Sequence, residues 1–389
     1  MSVTRPKGFV ATGVHCGIKP GDALDLALVA TADGAPVPAA AVFTTNLATA
    51  APVQVSRAHL AASGGQAAAV VLSSGNANAA TGAQGRADAE QMCALVAEAL
   101  GCDAHAVLVC STGLIGYSLP MEAITAGIPT LVEKRKGGEG SAQLAAQAIM
   151  TTDTRAKETM VGQGWFTVGG MAKGAAMLAP NLATMLAVLT TDATATPEEL
   201  QEALAAAMAG SFNALTVDGC TSTNDTVIVL ASGKVGRPPA GALAEALGLA
   251  CEDLAEQMAD DAEGATRLAT VRVAGAASAD DARRAARKVA ESQLVQCSLH
   301  GADPYWGRVV SELGSSGAGF DPERVAVSYG GVVVCRDGVA AAHDGAELLA
   351  HMEGRMVEIT ADLGLGDGEA AMLFTALSPA YIAENERTS

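Results

Sequence analysis

Residues 169–192, GGMAKGAAMLAPNLATMLAVLTTD, decide how this chain folds and what it can do. A Gly- and Pro-punctuated stretch carrying one lysine runs into an apolar segment that opens at Thr184 and reads as a β-strand. The next residues, TPEELQEALAAAMAG (196–210), read as a helix, with Thr196 as N-cap, Pro197 in the first turn, Glu199 three residues on, and Gly210 ending it. Thr184 itself has two readings. In the first it starts an ordinary strand. In the second the Ala183–Thr184 bond is hydrolysed, which turns Thr184 into an N-terminal residue whose α-amine is the base that its weakly nucleophilic hydroxyl needs. Such an amine has a pKa near ~7.7–8.0, so a useful fraction is neutral at working pH.

The strand-then-helix rhythm continues on both sides. AAAVVLSS precedes GRADAEQMCALVAEALG, TVIVLAS precedes GALAEALGLACEDLAEQMADDAEG, and TVRVAG precedes SADDARRAARKVAESQ, where Ser278 and Asp281 mark a helix start. HAVLVCST adds a further strand. The pattern predicts an α/β fold. RVAVSYGGVVVCRDG predicts a hairpin turning at Gly330–Gly331, and so a mixed rather than purely parallel sheet. The loops at 133–141 and 233–241 are too short to separate independent domains.

With 389 residues, half of them hydrophobic, the chain suits one large or two closely joined domains with a well-developed core. Its 24 Lys+Arg against 42 Asp+Glu give a formal charge of −18, which would repel nucleic acid, and few aromatics are present to stack on bases. The eight cysteines contain no CxxC pair and read as small buried hydrophobes in a reducing compartment. The six histidines have no ligand spacing, so no metal is expected. The N-terminus lacks an apolar stretch of signal-peptide length, and no run reaches the roughly 18 apolar residues of a membrane span, so the expectation is a cytoplasmic protein off the membrane. GLGDG (364–368) lacks dinucleotide-loop spacing and reads as a turn.

If Thr184 attacks a carbonyl, the resulting oxyanion needs donors. CSTGLIG, after the apolar strand HAVLV, offers the Thr112 hydroxyl and the Gly113 N–H, unless STG is merely a strand-ending turn. Lys173, in the apolar setting MAKGAAM, would be a costly isolated charge unless it faces a cleft and a negative group. Asp260, Asp261 and Glu263 read most simply as a solvated acidic cluster, although a carboxylate is what a cationic amino acid would seek. GCTSTND (219–225) and GADPYWGR (301–308) have the composition of site-lining loops or of surface turns.

Taken together, SSGNANAATG, CSTGLIG, AIMTTD, KGAAMLAPNLATMLAVLTTDA, TVDGCTSTNDTV and GADPYWGR occur in the order found in the ornithine acetyltransferase family of arginine biosynthesis, the ArgJ family, which the chain resembles from near its N-terminus to its last residues. The resemblance implies the DmpA/ArgJ-like α/β fold, mixed sheets layered with helices. It also implies self-cleavage between Ala183 and Thr184 into an α chain (1–183) and a β chain (184–389), which stay together as a heterotetramer. In the implied ping-pong reaction Thr184 takes the acetyl group of N2-acetyl-L-ornithine and passes it to L-glutamate. Thr112 and Gly113 match the oxyanion hole, and the substrate contacts fall on Thr151, Lys173, Thr184, Glu263, Asn385 and the terminal Ser389, with Thr388 the alternative for the last. No cofactor is implied. Acetyl-CoA enters only as a second acetyl donor in bifunctional members, which the motifs quoted above do not separate from monofunctional ones.

The chain departs from the family pattern at Tyr305, where asparagine is usual, at Gln296, Cys297 and His300, and in a tail one residue shorter after Asn385. If those loops line the pocket, substrate preference changes while the nucleophile is kept. The alternative activity is that of the related β-peptidyl aminopeptidases, self-processing amidases in which water, not glutamate, takes the acyl group.

Overall fold

The protein is described from a computed structural model at residues 2–177 and 185–386. The chain divides into two compact units, Met1–Asn213 with Cys220–Met258, and Ala214–Gly219 with Ala259–Ser389. Neither boundary coincides with the 183/184 bond or with the short loops at 133–141 and 233–241.

The first unit carries two mixed sheets. A four-stranded sheet runs, edge to edge, Phe9–Val14, Leu26–Thr31, Ala69–Asn76 and Val107–Leu114; only its last pair is parallel. A six-stranded sheet runs Gln66–Ala67, Val37–Phe43, Thr226–Gly236, Leu186–Ala193, Phe166–Lys173 and Lys157–Gln163, with the central pair Thr226–Gly236 and Leu186–Ala193 parallel. The strands AAAVVL and HAVLV read as unbroken apolar runs because both of their faces are buried. Val70, Leu72, Leu108 and Cys110 point to a core shared with Met171, Leu186, Val188, Ile228 and Leu230 of the other sheet. Their alternates Ala69, Val71, Val107 and Val109 meet Met92, Val96, Ile124 and Leu131 on the helices Gly82–Leu100 and Met121–Lys134.

The second unit has one seven-stranded mixed sheet, ordered Leu215–Thr216, Gly368–Thr375, Leu268–Ala276, Met356–Asp362, Ala326–Tyr329, Val332–Arg336 and Val339–Ala340. Val271 and Val273 pack with Ala285 and Val289 of the helix Ala279–Ala290, whereas Arg272, pointing the other way, pairs with Glu369. The expected hairpin is present: Tyr329 opposes Val332, and Gly330 and Gly331 take φ values of 55° and 86°. The capping box at Thr196 and Glu199 and the Ser278 cap are formed as read. The cysteine reading needs correction, because Cys220 and Cys297 are exposed. Among the described residues no helix is long and apolar enough to cross a membrane.

Candidate active site

Thr112 and Gly113 end the strand Val107–Leu114, where the parallel pairing with Ala69–Asn76 becomes irregular after Gly75 opposite Gly113. Gly113 has φ +132°, and a Cβ there would lie 2.3 Å from the carbonyl carbon of Gly75 and 2.5 Å from the nitrogen of Asn76. No L-residue fits without moving the neighbouring strand. Thr112 is buried, and its Oγ1 accepts from the Nζ of Lys173 at 3.4 Å, leaving its own hydroxyl proton to be donated elsewhere.

Lys173 closes the strand Phe166–Lys173 and is 2% exposed. The negative group that its burial demands is Asp153, whose Oδ2 lies 3.9 Å from Nζ. Asp153 Oδ1 accepts from Lys157 Nζ at 2.6 Å and from the Gly174 N–H at 2.8 Å, while Oδ2 accepts the Thr151 N–H at 3.0 Å. Burial opposes ionisation of Asp153, but the charges of Lys173 and Lys157 and these hydrogen bonds outweigh it and hold the carboxyl below its usual range. Thr151 and Lys173 thus meet on one buried carboxylate. Lys19 adjoins the same segment, donating from Nζ to the carbonyls of Leu24 and Met150 at 2.8 and 2.6 Å.

GCTSTND is a brace. Asn224 Nδ2 donates to the carbonyls of Ala77 and Ser111, which fixes the residue before Thr112. Asp225, fully buried, accepts the Met185 N–H on Oδ1 at 2.8 Å and so holds the residue that follows Thr184 in sequence. Burial raises the Asp225 carboxyl well above the usual carboxylate range. Within SSGNANAATG, Asn76 donates to the carbonyls of Tyr117 and Ser118 and orders the loop after Gly113. The Cys16 and Cys110 thiols are pushed up to about 12, chiefly by burial, so neither competes as a nucleophile at neutral pH. Ala183, Thr184 and Ser389, on which the cleavage, nucleophile and last substrate-contact readings rest, lie outside the described residues, as does Thr388.

In the second unit Glu263 is not part of a solvated acidic cluster. It is 8% exposed, and its Oε2 accepts from Asn385 Nδ2 at 2.7 Å, while Asp260 pairs with Arg355. These two substrate-contact candidates are therefore brought together by the fold. Of the four departures, Gln296 is a packing residue whose Nε2 bridges the carbonyls of Val217 and Ala290. Tyr305 is exposed with the Arg308 guanidinium over its ring, His300 bonds Thr266, and Cys297 is exposed.

The ArgJ family model matches residues 10–388. The chain belongs to the ArgJ family. ArgJ relatives share nearly half of its sequence. The arginine biosynthesis bifunctional protein ArgJ of Mycobacterium tuberculosis H37Rv is 48% identical over 395 residues, covering 100% of this chain and 96% of the relative. That of Thermobifida fusca is 47% identical over 392 residues, covering 100% of both. Among solved structures, ArgJ from Bacillus halodurans aligns with 37% identity and a TM-score of 0.48 over 50% of this chain and 95% of that one. The ornithine acetyltransferase of M. tuberculosis, complexed with ornithine, aligns with 46% identity and a TM-score of 0.44 over 47% and 96%.

The sequence reading singled out Thr151 and Lys173 but not the groups that hold them, Asp153, Lys157 and Lys19. Asp153 stood inside the quoted AIMTTD, and a carboxylate required by an apolar-flanked lysine was the signal available for it.

Proposed function

We propose that the chain cuts itself between Ala183 and Thr184 and then transfers the acetyl group of N2-acetyl-L-ornithine to L-glutamate. The observation that carries this reading is the conjunction of Thr112 and Gly113 at a strand end with a buried lysine 3.4 Å from the Thr112 hydroxyl. That is an oxyanion donor pair with a cation beside it. The 45–48% identical relatives named arginine biosynthesis bifunctional protein ArgJ support the same assignment.

In this reaction the new α-amine of Thr184 takes the proton of its own hydroxyl as Oγ1 attacks the acetyl carbonyl. The oxyanion accepts hydrogen bonds from the Thr112 hydroxyl and the Gly113 N–H. Collapse breaks the C–N bond, the α-nitrogen leaves with a proton as ornithine, and the acetyl group remains as an ester on Thr184. The α-amine of glutamate attacks that ester, N-acetylglutamate departs, and Thr184 regains its proton. Lys173 and Thr151 serve the amino acid head common to both substrates. Glu263 with Asn385 takes the ornithine ammonium, and the terminal Ser389 contributes the last contact. Acetyl-CoA is a second donor to the same threonine in a bifunctional enzyme, and the cut chains assemble as a heterotetramer.

Intact mass and N-terminal sequencing test the first step. Pieces of residues 1–183 and 184–389, the second beginning Thr-Met-Leu-Ala, are expected, and Thr184→Ala should give one uncut, inactive chain. Acetyl transfer to glutamate measured against release of free acetate tests the second step. Acetate release that glutamate does not suppress would identify an amidase instead.

A further inference from the structure

Lys19 belongs to no motif used above, yet the fold builds a support around it. The loop Cys16–Lys19 closes on the buried Asp25 carboxylate, which accepts the backbone N–H groups of Cys16, Gly17, Ile18 and Lys19 at 2.7–3.1 Å. This fixes where the lysine starts. Its stem then crosses Gly75, where an added Cβ would stand 2.9 Å from Lys19 Cγ, and Gly75 is the residue registered opposite Gly113. Its head reaches the Met150 carbonyl, next to Thr151. One half-buried lysine therefore spans the space from the oxyanion strand to the segment that holds Asp153 and Thr151.

Donor accounting leaves something over. An ammonium has three N–H donors, and among the described residues Lys19 uses two, on Leu24 and Met150. Lys19 and Lys173 act on one another electrostatically, and Asp25 and Asp153 are the carboxylates that act on Lys19. Asp25 is already satisfied by backbone amides, and Asp153 is engaged by Lys157 and two further N–H groups. Burial makes the Lys19 ammonium harder to keep charged, and Lys173 adds to this while Asp25 and Asp153 oppose it. An incoming anion between Lys19 and Lys173 would be stabilised by both.

We propose that Lys19 is a substrate-binding residue that gives its third N–H to the α-carboxylate shared by acetylornithine and glutamate, acting with Lys173. The assignment rests on the transferase reading above and names the group by which that site would recognise both partners.

The test compares N2-acetyl-L-ornithine with N2-acetyl-L-ornithinamide, which differs only in having a neutral carboxamide in place of the α-carboxylate. Wild-type enzyme should prefer the acid in kcat/KM, and Lys19→Met, which keeps the stem over Gly75, should cut that preference roughly tenfold or more. Self-cleavage should stay near wild type, while loss of the bonds to Leu24 and Met150 should lower the melting temperature by a few degrees whichever role Lys19 has. Lys19→Gln, whose amide can still donate two N–H groups, carries the same comparison if Lys19→Met does not fold. A lysine that only ties Leu24 to Met150 would lower both substrates together and leave the ratio unchanged, which overturns the proposal. So would a wild-type enzyme that uses acid and amide alike. No acetyl transfer from acetylornithine by the wild-type protein would instead defeat the transferase reading itself.

Discussion

Asp153→Asn is the substitution whose cost the structure defines most fully. The Asp153 and Lys157 side chains are both 0% exposed and 2.6 Å apart, and Lys173, 3% exposed, is 3.9 Å from the same carboxyl. Asparagine has nearly the same shape and can still accept from Gly174 or Thr151, so packing is kept while the carboxylate 2.6 Å from Lys157 Nζ is removed. Breaking one side of a buried pair costs about 3–5 kcal/mol, because the remaining charge is left uncompensated in a low dielectric. Urea unfolding of the full chain should show a loss of that size, and Lys157→Met in the same background should recover a substantial part of it, since an apolar isostere no longer needs a partner. The acid side supplies a second reading. The folded-state pKa of Asp153 lies below the ordinary unfolded value, so the pair's contribution is complete above about pH 4 and is lost as the pH falls through the folded value. The variant should lack this component of acid destabilisation. A stability change below about 1 kcal/mol at pH 7 would refute the electrostatic account of the cluster.

Three further outcomes are expected. Gly113→Ala forces a Cβ into the backbone of Gly75 and Asn76 and would misplace one of the two proposed oxyanion donors, so kcat for acetyl transfer should fall about 10²–10³-fold with a smaller effect on KM; steady-state kinetics on purified variant check this. Lys173→Ala should lower kcat/KM for both amino acid substrates by roughly tenfold to a hundredfold. Mass spectrometry should still find the chain cut, and loss of cutting would show that the lysine serves processing. Glu263→Gln retains the geometry for Asn385 but removes the charge, and should raise KM for acetylornithine roughly tenfold while altering KM for glutamate far less.

Much of the fold was legible because its signals are local. The capping box at Thr196, the Ser278 cap and the Gly330–Gly331 turn each depend on neighbours a few residues away, and the doubly buried strands announce themselves as unbroken apolar runs. The order of strands in the sheets was not legible, since pairing Val37–Phe43 with Thr226–Gly236 joins residues nearly two hundred positions apart. The same limit applies to the site. Thr112, Gly113 and Lys173 stood out by composition, but Asp153, Asp225 and Lys19 acquire their meaning only from what tertiary packing places beside them. Glu263 was misread as solvated because its two acidic neighbours are polar along the sequence, whereas its partner Asn385 arrives from the far end of the chain.

The order of the six-stranded sheet bears on what a cut at 183/184 would do. The strands Leu186–Ala193 and Thr226–Gly236 lie side by side at its centre, and each is bonded on its outer edge to a strand that precedes the cut, Phe166–Lys173 on one side and Val37–Phe43 on the other. The downstream piece is thus clasped between two arms of the upstream piece. Pulling them apart would strip two inner ladders at once and bare four sheet edges, a state prone to aggregation. Chain scission would then release a reactive terminus without releasing a subunit, and neither fragment made alone should fold into a usable half of the enzyme.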